Sequence, residues 1–255
     1  LNTTFKLSSI IIAKNEESNI KRCIDSQLDC IDEIIILIDD SSTDKTFEIA
    51  NSYTNVKVEK VKWQGYSETK KYAVSLTNNE WIFWIDADEA ITEKLQEEII
   101  EFKNSDPKYY AYSVPRKAYF LGKWIKHSGW YPGRATRLFN KNNVKFSEDN
   151  RVHEYLVVSG GVGELNADLD HFTDPTIHHY FEKFNNYTTL AADDLIKKGK
   201  GLNIFDLILR PPLMFIKMYI IKRGFLDGVE GFILAFFSSA YVFTKYCKFW
   251  EKKVK

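Results

Sequence analysis

The chain has 255 residues, and its 35 Lys plus Arg against 35 Asp plus Glu give a formal net charge of zero. That balance excludes the basic excess of a dedicated nucleic-acid binder, and 44% hydrophobic with 27% charged residues excludes wholesale disorder. Three cysteines, Cys23, Cys30 and Cys247, make neither a disulfide framework nor a zinc cluster, so a reducing, cytoplasmic compartment is expected.

In chain order, residues 1–17 lack the basic start and long apolar stretch of a signal peptide. Residues 9–13 (SIIIA) predict a first buried strand, and residues 14–27 carry helical spacing. Residues 33–38 (EIIILI) predict a second strand, ended by DDSSTD. A helix is expected over 46–53, a third strand over 56–61, a helix over 69–76, and a fourth strand over 80–85 (EWIFWI). Short apolar strands alternating with helices imply a parallel sheet with right-handed crossovers. In such sheets ligands sit beyond the carboxyl ends of the strands. Here those ends carry Asn15-Glu16-Glu17, Asp39-Asp40-Ser41 and Asp86-Ala87-Asp88-Glu89.

A further helix is expected over 91–102. Residues 109–139 are aromatic and alternating, which suits antiparallel strands over the sheet edge. Another helix is expected over 176–198, and the basic, glycine-containing stretch 197–201 divides a catalytic domain, 1–196, from a tail, 197–255. The tail holds ten Lys and two Arg against two Asp and two Glu, a charge of +8, which residues 1–196 offset at −8. Val229, Phe232, Ile233, Phe236, Phe237, Ala240 and Phe243 recur there at helical spacing. The cleanest apolar run, 231–243, is short of the roughly 20 residues that span a bilayer. The tail therefore reads as an amphipathic element lying on a membrane surface, or as a helical hairpin packed on the catalytic domain or on a second copy.

Two motifs carry chemistry. Asp86 and Asp88, one residue apart after a buried strand, repel each other and suit a hard divalent cation that could bridge a diphosphate; the alternative is a solvated turn. Asp39, at the end of the second strand, can accept from a nucleotide base or ribose, whereas Asp44 is better explained as a helix cap.

SIIIAKNEE, ILIDDSSTD, GYSETKKYA and WIFWIDADE, in that order, resemble glycosyltransferase family 2, and in particular its lipopolysaccharide-core β-glucosyltransferase type. YPGRATRLF (131–139), RVHE (151–154), His171, KFNNYTTLAA (183–192) and the tail extend the resemblance over nearly the whole chain. It implies an α/β GT-A (Rossmann-like) fold: a mostly parallel sheet flanked by helices, with a C-terminal amphipathic helical tail. It also implies a nucleotide-sugar donor and a metal-assisted, inverting transfer.

By position, the resemblance puts Ala13, Asn15 and Glu17 along the nucleotide pocket and Asp39 at the base. It puts Lys70 near the nucleotide, Asp86 at ribose or metal, and Asp88 on the metal. His171 would complete the shell of Mn²⁺ or Mg²⁺, or else is a hydrogen-bonded strand histidine. Arg137 would pair with a phosphate or with a site carboxylate. Glu154 is the expected general base, with Asp149 and Glu148 as alternatives. Lys71 and Asp40-Ser41 depart from the family pattern, which more often has Asn and Ser-Gly there. Trp124, Trp130 and Tyr131 suit either sugar stacking or core packing. UDP-glucose is the first expectation for the donor, and a lipid-linked or cell-envelope saccharide for the acceptor. The enzyme is expected to be peripheral on the inner face of the plasma membrane, with a homo-oligomer possible and no nucleic-acid partner. Two other readings stand beside this one. A nucleotidyltransferase would need a Gly-rich basic loop where AKNEES stands. A non-catalytic, membrane-associated nucleotide or sugar binder would keep Asp39 without needing both Asp88 and Glu154.

Overall fold

The computed structural model describes residues 4–146, 156–201 and 203–254. In chain order the elements are β1 (Leu7–Ala13), α1 (Ile20–Asp25), β2 (Glu33–Asp39), α2 (Thr46–Asn51), β3 (Val56–Val61), α3 (Tyr66–Ser75), β4 (Trp81–Trp84), β5 (Glu89–Ile91), α4 (Glu93–Lys103) and β6 (Ala111–Val114). They continue with β7 (Arg116–Phe120), β8 (Lys123–Trp124), β9 (Ala135–Asn140), β10 (Val144–Phe146), β11 (Leu156–Val158), β12 (Gly163–Glu164) and β13 (Leu169–Asp174). The C-terminal part is helical: α5 (Ile177–Lys197), α6 (Ile204–Ile208), α7 (Arg210–Phe215), a π-helical turn (Ile216–Ile221), a 3₁₀ turn (Gly224–Asp227) and α8 (Gly228–Val254). The chain forms two compact units, residues 1–116 with 134–171, and residues 117–133 with 172–255.

The first unit is built on a seven-stranded sheet of order β12-β6-β9-β4-β1-β2-β3. β1 pairs in parallel with β2 on one side and with β4 on the other. The strand order thus reverses at β1, which is the switch point where open α/β sheets bind ligands. β2 is buried on both faces, and its alternate residues feed two cores. Ile34, Ile36 and Ile38 join Ile11 and Phe83 on one side; Ile35 and Leu37 join Ile10 and Ile82 on the other. A strand covered on both faces reads as a continuous apolar run, which is why EIIILI was legible. β3, at the sheet edge, alternates instead as VKVEKV. β6 and β9 are antiparallel, as expected from 109–139, but they extend the sheet beside β4 instead of lying over its edge.

The helix expected over 14–27 is shorter, because Asn15 takes a left-handed conformation at φ 53 and the following residues bond to the loop after β2. α4 starts where a capping threonine stops the strand pairing: Thr92 Oγ1 accepts from Leu95 N at 3.3 Å.

The second unit holds α5 and α8 packed side by side, with α7 also against α8. Asp227, nearly fully buried, accepts from the backbone N–H of Lys126 and His127 at 3.2 and 2.9 Å and meets His127 Nδ1 at 2.8 Å. The α8 start passes so close to the 3₁₀ turn that a Cβ at Gly231 would collide with Gly224 O and lie 2.9 Å from Asp227 Cβ. Gly231→Ala is expected to destabilise by about 3 kcal/mol, a small-to-large change in a packed spot. Thermal melting followed by circular dichroism checks this, with a fall of roughly 6–12 °C. The run counted as 13 residues in the sequence proves to lie in a longer helical stretch. Gly224–Val254, 31 residues, is long and apolar enough to cross a bilayer by length and composition.

Candidate active site at the strand ends

Three strand ends meet at the switch point. Ala13 closes β1 and is buried, Asp39 closes β2, and Trp84 closes β4 two residues before Asp86. Asp39 Oδ1 accepts from Ser41 N at 2.9 Å and Ser41 Oγ at 2.7 Å, while Lys14 Nζ lies 3.1 Å from Oδ2. Burial alone would raise this carboxyl; the Ser41 hydrogen bonds and the Lys14 charge outweigh it and hold Asp39 below its ordinary value. It is therefore an anion at neutral pH and a ready acceptor.

Asn15 and Glu17 brace the same loop. Asn15 Oδ1 accepts from Thr43 N at 2.8 Å, and Glu17 Oε2 accepts from Lys45 N at 3.0 Å. Asp44, expected as a helix cap, sits one residue before the N-cap of α2, which is Lys45, and its Oδ1 accepts from Thr46 N at 3.0 Å.

The turn after β4 is an ion cluster. Arg137 Nη2 donates to Asp86 Oδ2 and to Glu89 Oε1, each at 2.5 Å. Lys70 Nζ lies 3.7 Å from Asp86 Oδ1 and 3.5 Å from the Trp84 ring centroid. Trp84 Nε1 donates to Asp86 Oδ1 at 3.3 Å. Burial would raise the Asp86 carboxyl, but the charges of Arg137 and Lys70 overcome it and hold Asp86 far below the usual carboxylate range. The same pairing raises the Arg137 guanidinium against its own burial.

β9 runs antiparallel beside β4, with Leu138 opposite Phe83, and this register carries Arg137 to the turn. Of the two partners foreseen for Arg137, a phosphate or a site carboxylate, the structure shows the carboxylate. Its Nε is buried without a hydrogen-bond partner among the described residues.

Glu89 was not singled out in the sequence beyond its place in DADE. It is completely buried, accepts from Asp86 N at 3.0 Å as well as from Arg137, and has Arg116 Nη1 at 3.6 Å. Its strand β5 pairs with β13, Glu89 opposite His171. That pairing sets His171 Nε2 3.5 Å from Asp88 Oδ2, both side chains about one-fifth exposed at 19 and 18%.

An imidazole nitrogen and a carboxylate oxygen facing each other at a partly open edge fit a divalent cation that takes its other ligands from diphosphate oxygens and water. Among the described residues no three His, Cys, Asp or Glu side chains form a closed metal site. Asp86, tied to two cations, is engaged as an ion-pair partner.

Glu154 and its alternatives Asp149 and Glu148 lie outside the described residues. Trp124 stands edge-on to Tyr131 at 5.4 Å, with Lys126 Nζ 4.6 Å from the Trp124 ring centroid; Trp130 packs on the core beside Phe120.

The strand order reverses at β1 and a carboxylate-bearing turn lies beyond β4, the arrangement in which open α/β sheets bind ligands; the family it matches and its relatives make it a glycosyltransferase, of GT-A fold. The chain belongs to glycosyl transferase family 2, whose family model matches residues 8–158. It is 30% identical over 251 residues to "Lipopolysaccharide core biosynthesis glycosyltransferase LpsC" of Rhizobium meliloti, covering 96% of this chain and 92% of that one. It is 32% identical over 262 residues to an "Uncharacterized glycosyltransferase" of Rickettsia felis, covering 98 and 91%. Among solved structures, the mannosyltransferase PcManGT of Pyrobaculum calidifontis, in complex with GDP-Man and Mn²⁺, superposes with a TM-score of 0.55 at 13% identity, covering 98% of this chain and 88% of that one.

Proposed function

We propose that the protein transfers a hexose from a nucleotide sugar, UDP-glucose in the first instance, to a cell-envelope or lipid-linked saccharide, with inversion at the anomeric carbon. One observation carries the reading: Asp39 ends β2 and Asp86 and Asp88 follow β4, the two strands that flank β1 at the switch point, with Asp39 held ionised by the Ser41 hydrogen bonds and Lys14 and Asp86 by Arg137 and Lys70. The likeness to an enzyme named for lipopolysaccharide core biosynthesis supports the acceptor class.

In this reading Ala13 and the braced Asn15–Glu17 loop wall the nucleotide, and Asp39 accepts from the base. Arg137, with one N–H not engaged by the described residues, and Lys70 face the diphosphate as cations. Asp88 and His171 would hold Mn²⁺ or Mg²⁺, which would supply charge neutralisation at the diphosphate. Glu154, or Asp149 in its place, takes the acceptor hydroxyl proton. The enzyme works as a peripheral protein on the inner face of the plasma membrane, where a glycolipid acceptor is presented.

The test incubates the full chain with a panel of nucleotide sugars, a glycolipid extract and Mn²⁺, and follows nucleoside diphosphate release. Faster release from one donor, abolished by EDTA and restored by Mn²⁺, is expected. No release from any donor would overturn the proposal.

A further inference from the structure

The second unit carries apolar side chains on its outside, where a water-facing surface would be polar. Along α6, α7 and the π-helical turn, Phe205, Ile208, Leu213, Ile220 and Ile221 are 54–68% exposed. The pattern continues on α8. At 100° per residue, positions 229, 232, 236, 243 and 250 fall on one narrow stripe. They are Val229, Phe232, Phe236, Phe243 and Trp250, all of them exposed. The opposite stripe, with Leu234, Ala235, Val242 and Phe249, is buried.

α8 is thus apolar on two sides: the outer one stays exposed, with Phe232 edge-on to Phe215 at 5.8 Å and to Tyr219 at 5.6 Å, and the inner one is covered by protein. That side is fastened to its own unit. Lys248 Nζ meets Asn185 O at 2.8 Å, Tyr241 Oη donates to Tyr187 O at 3.1 Å, and Ser239 Oγ donates to Pro211 O at 2.8 Å. A helix held in this way has one face left to meet something else, and contiguous exposed apolar surface marks an interaction site.

Charge selects the occupant. Lys217, Lys222 and Arg223 are exposed among these apolar residues, and no Asp or Glu occurs between residues 211 and 226. A second copy docked through this face in a two-fold dimer would bring the same cations together. An anionic bilayer satisfies both features: its acyl boundary takes the apolar side chains, and its phosphates take the cations.

We infer that α6, α7, the turns through residue 227 and the outer stripe of α8 form a membrane-docking face that lies in the headgroup region of anionic lipid. This rests on the peripheral placement proposed above and names the surface and lipid chemistry that produce it. α8 lies along the surface, because its inner stripe is already covered by protein.

The test is flotation of the full chain with vesicles of phosphatidylcholine alone or mixed with phosphatidylglycerol. The wild type should float with the mixed vesicles and be released by a carbonate wash. Phe232→Ser with Phe236→Ser should lower partitioning about 100-fold. Lys222→Gln with Arg223→Gln should lower it about 30-fold, on the anionic vesicles only. Tyr110→Ser, an exposed aromatic of the first unit, should change nothing. Nucleoside diphosphate release from a soluble donor should be equal in the wild type and the Phe variant, so loss of docking is distinguished from loss of the active site. The inference is overturned if the wild type ignores both vesicles, if the Phe variant floats like the wild type, or if carbonate fails to release the protein. It is also overturned if sedimentation shows a wild-type dimer that the Phe variant breaks.

Discussion

Arg137→Ala is expected to lower stability by about 3–5 kcal/mol, the cost of removing one partner from a buried ion pair. The change strands Glu89, which is completely buried and would keep its Asp86 N–H partner but lose its closest cation. It also removes the strongest charge holding Asp86 ionised. Thermal melting should show a fall of roughly 6–20 °C. Arg137→Lys should recover only part of it, because one ammonium cannot reproduce the guanidinium fork across two carboxylates.

The pH dependence has a definite sign. Asp86 has a folded pKa depressed below the unfolded value of about 3.9. Its contribution is therefore fully present above that value and is lost as pH falls toward the folded pKa. Acid titration of the wild type should keep the fold through pH about 4, while Arg137→Ala should begin to unfold at higher pH. Coincident acid transitions in the two proteins would contradict the ion-cluster account.

Asp88→Ala is expected to lower the rate of sugar transfer about 10³-fold with little change in melting temperature. Asp88 is partly open and faces His171 Nε2 at 3.5 Å. A cation at a diphosphate leaving group supplies several kcal/mol of charge stabilisation, and each 1.4 kcal/mol is tenfold in rate. The Asp88→Ala protein should also need more Mn²⁺ for half-maximal rate, which a Mn²⁺ titration of nucleoside diphosphate release measures. An unchanged Mn²⁺ requirement would remove Asp88 from the metal.

The strand ends were legible because β1, β2 and β4 are short, buried runs that stop at Ala13, Asp39 and Trp84, with Asn15 and Asp86 two residues past the first and last. Periodicity finds such strands without knowing their neighbours. Glu89 was not legible as the shared partner of Arg137 and Arg116, because their meeting depends on tertiary placement and on the β4–β9 register, which no local pattern sets. α1 was overextended because a left-handed Asn15 leaves no mark on helical spacing.

On α8 the sequence grouped Ile233 and Phe237 with Phe232 and Phe236. The fold separates them: the first two pack toward the core, the last two stay exposed. When both faces of a helix are apolar, only packing reveals which one the protein covers. The neutral net charge was legible and misleading alone, since it sums an acidic site-bearing part and a basic tail.

Transfer as proposed requires a nucleoside diphosphate at the ends of β1, β2 and β4. Isothermal titration of UDP and GDP into the full chain with Mn²⁺, beside Asp39→Ala, tests it most directly. The account predicts saturable binding of one of them to the wild type, weakened at least tenfold by Asp39→Ala through loss of a charge-assisted hydrogen bond of roughly 1.5–3 kcal/mol. Absence of binding by either nucleotide, or equal binding by the two proteins, would contradict it.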